Sequence, residues 1–237
     1  GSQGDLGKDN AFKGQKIVFL CLYPDAEATA IIKRNVERAV SQKGFTLEFH
    51  VGNISVESLE YSLRTANQLW ILADSTRKLT SLHYDMICNF FNKGRGLYLI
   101  TDNTPFVADV NDIASRLFGV TLSGDYIGKQ VIGVTNSPLN PGILSNHLLS
   151  TGIQNFYEGV TIAHINNINN IFSNTSPSHA VISNPNIVKI LWFNIISAIN
   201  STDNIHSSFK LNDLHRMSWR INHIVCSSIL SKNNNTD

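Results

Sequence analysis

Apolar and polar positions along the first hundred residues follow two alternating rhythms. Lys16-Ile-Val-Phe-Leu-Cys-Leu22 is an unbroken apolar run of strand formers, and Tyr23-Pro24-Asp25 ends it with turn chemistry. Such a run predicts a strand covered on both faces. Ala28, Ile31, Ile32, Val36, Ala39 and Val40 then recur at helical spacing, with Asp25 placed to cap the helix and Gly44 to stop it. Residues 45–51 read as a second strand, which completes a βαβ unit.

The rhythm repeats. Residues 56–65 predict a short helix, and 68–73 a strand that ends in Asp74-Ser75-Thr76. Residues 79–92 predict an amphipathic helix with Leu82, Met86, Ile87, Phe90 and Phe91 facing inward. A fourth strand over 97–101 leads into Asp102-Asn103-Thr104-Pro105, and a helix follows to Phe118. Strands that alternate with helices demand a parallel sheet with right-handed crossovers. Beyond Gly119 the pattern changes to short strand-like pieces at 120–122, 130–134, 160–165, 180–183 and 189–193, separated by Gly, Pro and Asn. The expected fold class is therefore α/β, a mostly parallel, doubly wound sheet with an antiparallel extension in the second half. A closing helix is expected over 217–230. The domain reading is one α/β domain over 15–231, with disordered tails at 1–14, where Gly1-Ser2 looks like an expression scar, and at 232–237.

Composition narrows the partners. The 237 residues carry a net charge of +1 and only 16% charged side chains, so no long-range field favours nucleic acid or an anionic membrane surface. No apolar run approaches the roughly 18 residues of a membrane span. Cys21, Cys88 and Cys226 lie far apart in apolar surroundings and match no metal or redox spacing. Buried free thiols in a reducing compartment are the expectation, which makes a cytoplasmic location the working assignment, with no metal and no cofactor called for.

Candidate chemistry follows from topology, because ligands of open α/β sheets bind outside the carboxyl ends of the strands. Three polar segments are expected there: Tyr23-Pro24-Asp25, Asp74-Ser75-Thr76 and Asp102-Asn103-Thr104. A helix start just after Asp102 would add backbone amides for an anion or an oxygen-rich ligand. The competing explanation is ordinary capping by Asx and Thr residues, with Pro105 in the first helical turn. A second candidate is Glu158 and Thr161, which flank Gly159 at the start of a strand. A carboxylate in apolar surroundings needs a partner, although Gly159 also suits a simple bend. His147 and His164 sit in no ligand-spaced cluster, and Arg77-Lys78 and Lys93-x-Arg95 read as solvated faces.

Gly94-Arg-Gly-Leu-Tyr-Leu-Ile-Thr-Asp-Asn-Thr-Pro-Phe106, Ala108-Asp109-Val110-Asn111, His147-x3-Thr151-Gly152 and Tyr157-Glu-Gly-Val-Thr-Ile-Ala163 together carry a family likeness. With the order of units, they make the chain resemble the class I glutamine amidotransferase-like superfamily over most of residues 16–230. Within it, the chain looks closer to a non-catalytic branch with a Gly-Asp-His/Asn-Thr-Pro turn. The resemblance implies a flavodoxin-like or amidotransferase-like sheet and a strand-to-helix elbow at residues 101–103. Glutaminases of this fold carry a Cys at the elbow and a late His-x-Glu pair. This chain has Thr101-Asp102-Asn103 at the elbow and no His-x-Glu anywhere, so no thioester and no base to activate it are expected.

The expectation is accordingly a catalytically silent domain that binds a small polar ligand or a protein partner at the carboxyl edge. Its ligand-binding residues would be Asp74, Ser75, Thr76, Asp102, Asn103, Thr104, Glu158 and Thr161, with no catalytic residue. Two alternatives are a hydrolase pairing Asp102 or Glu158 with a histidine such as His147, and a structural module that forms homo-oligomers through its edge strands.

Overall fold

The computed structural model describes residues 9–127 and, beyond them, strand segments at 131–135, 143–144, 155–157, 161–166, 181–184 and 187–190. Strands β1 (Lys16–Cys21), β2 (Thr46–Val51), β3 (Gln68–Leu72) and β4 (Gly96–Ile100) form a parallel sheet in the order β2-β1-β3-β4. Helices α1 (Ala26–Gln42), α2 (Val56–Arg64), α3 (Ser81–Asn92) and α4 (Ala108–Phe118) alternate with the strands and extend past the last of them. The order reverses between β1 and β3, which makes their carboxyl ends the topological switch point.

The continuous apolar runs predicted this burial. Every residue of β3 and β4 is buried, and only Lys16 of β1 is partly exposed. β2 mixes Thr46, Glu48 and His50 with its apolar residues, and none of its positions is fully buried, as suits a strand paired on one side. On one face, Val18, Leu20, Leu69, Ile71, Leu97 and Leu99 pack against apolar residues of α2, α3 and α4. On the other, one aromatic from each strand stands in a row across the sheet. Phe49, Phe19, Trp70 and Tyr98 are register partners with successive ring centroids 4.8, 5.9 and 5.2 Å apart. α1 packs on that second face, where Cys21 Sγ lies 3.8 Å from Thr29 Oγ1.

Two local expectations change. Residues 9–14, assigned from sequence to a disordered start, form turns that close the end of α1. The Asn10 and Phe12 amides donate to the carbonyls of Gln42 and Lys43, and Phe12 stacks on Phe45 at 4.8 Å. Lys43 is buried and paired with Asp9 at 2.7 Å. Carbonyls at a helix end lack intrahelical partners, which is what the incoming amides supply. Gly44 has φ +90°, and a Cβ there would stand 2.8 Å from the Lys13 amide nitrogen. The second change concerns α3, where Leu82 faces outward at 62% exposure while Ile87, Phe90 and Phe91 form the inner stripe.

In the second half, β5 (Thr121–Ile127) pairs antiparallel with β9 (Thr161–Asn166). β6 (Val131–Thr135) pairs antiparallel with β8 (Asn155–Tyr157) and parallel with β7 (Ile143–Leu144), and β10 (Val181–Asn184) with β11 (Ile187–Ile190) is antiparallel. The extension is thus mainly antiparallel, as the spacing of short strands implied. The closing helix expected over 217–230 lies outside the described residues.

Candidate functional site

The loops that leave β1, β3 and β4 meet at the carboxyl edge of the sheet. Tyr23 from the first and Phe106 from the third form an edge-to-face ring pair, with centroids 5.9 Å apart. The Ala108 amide at the start of α4 donates to the Asp74 carbonyl at 3.1 Å, which joins the third loop to the second. The three polar segments therefore converge as the topology requires, but their side chains are used very differently.

Asp74 binds Lys78, and Ser75 and Thr76 bind Asp74. The Lys78 ammonium lies 3.0 Å from Asp74 Oδ2 and also donates to the Leu22 carbonyl at the end of β1. Thr76 Oγ1 donates to Asp74 Oδ2 at 3.2 Å, and Ser75 Oγ approaches Oδ1 at 3.4 Å. Burial opposes the charge on Asp74, but the bonds from Lys78, the Ser75 amide and Thr76 outweigh it and hold the carboxyl below its ordinary range. Lys78 was expected on a solvated face. It turns inward because an ammonium can satisfy a strand-end carbonyl and a buried carboxylate at once.

Asp109, fully buried in the first turn of α4, fixes the same loop from the other side. Its Oδ2 accepts from the Lys78 amide at 2.9 Å, and its Oδ1 accepts from the Leu79 amide at 3.0 Å and from Tyr84 OH at 2.7 Å. The Tyr84 hydroxyl also reaches Asp112 Oδ2 at 3.1 Å, and Arg77 forks onto the Asp112 carboxylate. Asp109 was not a candidate from sequence, since its partners lie some thirty residues earlier and nothing local announces them.

The β4 turn departs from the simple elbow. α4 starts at Ala108, its N-cap is Val107, and no side chain caps it. Asp102, Asn103 and Thr104 are therefore not helix caps, and a seven-residue turn with a cis Thr104-Pro105 bond separates strand from helix. Asn103 Nδ2 donates to Asp125 Oδ1 at 2.9 Å, while Thr104 exchanges bonds with Gly124, amide to carbonyl at 2.9 Å and Gly124 amide to Thr104 Oγ1 at 2.9 Å. The turn is thus sewn onto β5. From α4, the Asn111 side chain also pairs with both backbone groups of Leu122.

Asp102 is the exception. Its carboxylate accepts from the Asn103 amide at 2.8 Å, and no cation among the described residues reaches it. Burial pushes its carboxyl above the ordinary range. The charge of Asp125 adds to that rise, and the Asn103 amide works against it. Next to it, the Thr101 hydroxyl is fully buried with no hydrogen-bond partner among the described residues.

Of the eight sequence candidates, six lie together at this edge. Thr161 opens β9, which pairs with β5 through Ile127, and Glu158 and His147 lie outside the described residues. His164 stands opposite Ser123 on β9. The two histidines with described side chains are engaged elsewhere: His50 Nε2 lies 2.7 Å from Glu48, and His83 accepts the Thr80 amide on Nδ1, leaving Nε2 to donate to the Ile54 carbonyl at 3.0 Å. Cys21 is buried beneath the first loop, where loss of hydration raises its thiol pKa. Among the described residues no cluster of three or more His, Cys, Asp or Glu side chains is arranged to hold a metal ion, and no helix is long and apolar enough to cross a membrane.

Among solved structures, the chain is similar to a ThuA-like protein from Bacteroides uniformis ATCC 8492, with a TM-score of 0.54 at 12% identity over 93% of this chain and 95% of that one. The fold is amidotransferase-like. No protein-family model matches the sequence, and no curated protein matches it. At this identity the likeness concerns architecture alone.

Proposed function

We propose that this amidotransferase-like domain is catalytically silent and binds a small polar ligand at the carboxyl edge of its sheet, with Asp102 as its principal contact. The observation that carries this reading is the carboxylate of Asp102, half-buried and without a cation among the described residues, beside Asn103 and Thr104, whose side chains are tied to β5. Keeping such a group costs stability unless a partner that donates hydrogen bonds compensates it. Silence rests on the sequence, which offers neither a Cys at residues 101–103 nor a His-x-Glu pair to form and resolve a glutamyl thioester.

The test is a thermal-shift screen of sugars, nucleotides and amino acids on the full chain, repeated on Asp102→Ala, with a pull-down from native extract in parallel. A ligand at a hundredfold excess over Kd adds about 2.7 kcal/mol to the folded state. For a chain of this size that corresponds to a rise of roughly 5–10 °C. The expected result is a shift with wild type that Asp102→Ala loses. No ligand and no captured partner, or ammonia release from glutamine, overturns the proposal.

A further inference from the structure

A cavity of about 540 Å³ lies between α2 and α3, lined by none of the candidate residues of the carboxyl-edge loops. We infer that it binds an amphipathic anion, a small molecule with an alkyl body and a carboxylate head, lying along the two helices with its head at their C-terminal ends.

The polarity of the groove sets both the class and the direction. In a parallel sheet the intervening helices run the same way, so α2 and α3 both start at the carboxyl edge and end at the opposite one. At their starts the groove is lined by Val56 and by the outward Leu82, and its floor is Leu63, Met86 and Phe90. At the far end stand Lys93 and Arg95. α3 spans 12 residues, about 18 Å, which accommodates an extended alkyl chain with its head group.

The two acids in the walls are already neutralised. Glu60 pairs with Arg64 at 3.3 Å, and Asp85 pairs with Arg116 of α4 at 2.7 Å. Lys93 and Arg95 make no ion pair among the described residues, so the groove has uncompensated positive charge at one end only. A cation at a helix C-terminus complements the backbone dipole, and that accounts for Arg64 on α2 and Lys93 on α3. Arg95 lies beyond α3 and has no such reason to be there. Leu82 is likewise unexplained by the core. A ligand with an apolar body and an anionic head answers both, and the volume lies in the range of small-molecule sites.

The test does not involve Asp102. Decanoate, below its micelle threshold, is titrated calorimetrically into the full-length protein, with 1-decanol as the uncharged control and amide shift mapping by NMR. Decanoate is expected to saturate at one site, to bind more tightly than decanol, and to shift the amides of Asn89 and Lys93. The Lys93→Ala/Arg95→Ala double variant should weaken it about tenfold, since each exposed cation contributes up to a factor of about five, and should leave decanol unchanged. Leu82→Asp, at an exposed position that cannot unfold the core, should weaken both. Equal affinity for decanoate and decanol, indifference to the double variant, or no binding overturns the inference. So does a molar mass that rises with concentration and falls in Leu82→Asp, which would assign the groove to a second copy of the chain.

Discussion

Asp109→Ala tests whether the carboxyl-edge loops are held as described. Asp109 is fully buried and accepts from the amides of Lys78 and Leu79 and from Tyr84 OH, at 2.9, 3.0 and 2.7 Å. Removing it leaves Tyr84 with its second acceptor, Asp112 at 3.1 Å, but strands the two amides. A buried donor left unsatisfied costs about 1–3 kcal/mol. The Lys78 amide is only partly buried and regains some water, so the pair should cost about 3 kcal/mol in all. For a chain of this size that lowers the melting temperature by roughly 6–12 °C.

The measurement is thermal unfolding of wild type, Asp109→Ala, Tyr84→Phe and the double variant. Tyr84→Phe alone should cost about 1 kcal/mol, the ordinary net value of one hydrogen bond. The double variant should fall short of the sum by about 1 kcal/mol, because the two side chains share a bond. Asp109→Asn keeps one acceptor oxygen and the side-chain shape, and should lose about half as much as the alanine variant. A drop under about 2 °C for Asp109→Ala, or strict additivity with Tyr84→Phe, would refute the account of the loop.

Asp102→Asn should raise the melting temperature at pH 7, because the folded state binds the Asp102 proton more tightly than the unfolded chain does. That favourable contribution is complete below the unfolded value of 3.8 and is lost as pH rises through the folded one, so the gain from Asn should vanish below about pH 3.8. A gain independent of pH would contradict the raised carboxyl. Glu48 behaves in the opposite sense: burial opposes its charge, but bonds from Lys16, Ser62 and His50 lower its carboxyl from 4.5 to about 2. Its contribution is present above pH 4.5 and disappears as pH falls to about 2, so Glu48→Gln should flatten the acid limb of stability against pH. Ile87→Ala, fully buried in α3, should cost about 2–5 kcal/mol, whereas Leu82→Ala should stay within about 0.5 kcal/mol by chemical denaturation. Thr104→Val removes the acceptor for the Gly124 amide, and by thermal melting should cost about 1 kcal/mol.

The parts of the fold that the chain announces are those decided locally. α1 runs from Ala26 to Gln42 as its apolar spacing implied, and Asp25 Oδ1 accepts the Ala28 amide at 2.7 Å as a cap should. β1, β3 and β4 read as buried because a doubly covered strand has no polar face to alternate. Leu82 misled because an apolar residue at the margin of a helical stripe looks the same whether it faces core or groove. Lys78 misled for a different reason. Beside Arg77 it resembles a solvated pair, and the Leu22 carbonyl, 56 positions earlier, draws it inward together with the Asp74 carboxylate. Asp109 likewise depends on amides thirty positions away, and Lys43 on an Asp9 that looked like part of a loose start. Side chains whose partners are distant in sequence carry no local sign of their role.

The same distinction sorts the carboxyl edge. Polar residues gather there because strand ends and turns expose backbone groups that must be satisfied, so their presence alone does not separate ligand contacts from scaffolding. Tracing each bond makes the separation. Asp74 is consumed by Lys78, Ser75 and Thr76 by Asp74, and Asn103 and Thr104 by β5, whereas among the described residues the Asp102 carboxylate keeps all but one of its acceptor positions. Scaffolding of its neighbours also bears on binding. With the turn fixed to β5 and the preceding loop fixed by Asp109, a ligand that meets Asp102 need not order either segment, so less of its interaction energy is lost to loop entropy. On the proposed reading, the residues that do not touch the ligand would thereby set how much of the Asp102 interaction survives as affinity.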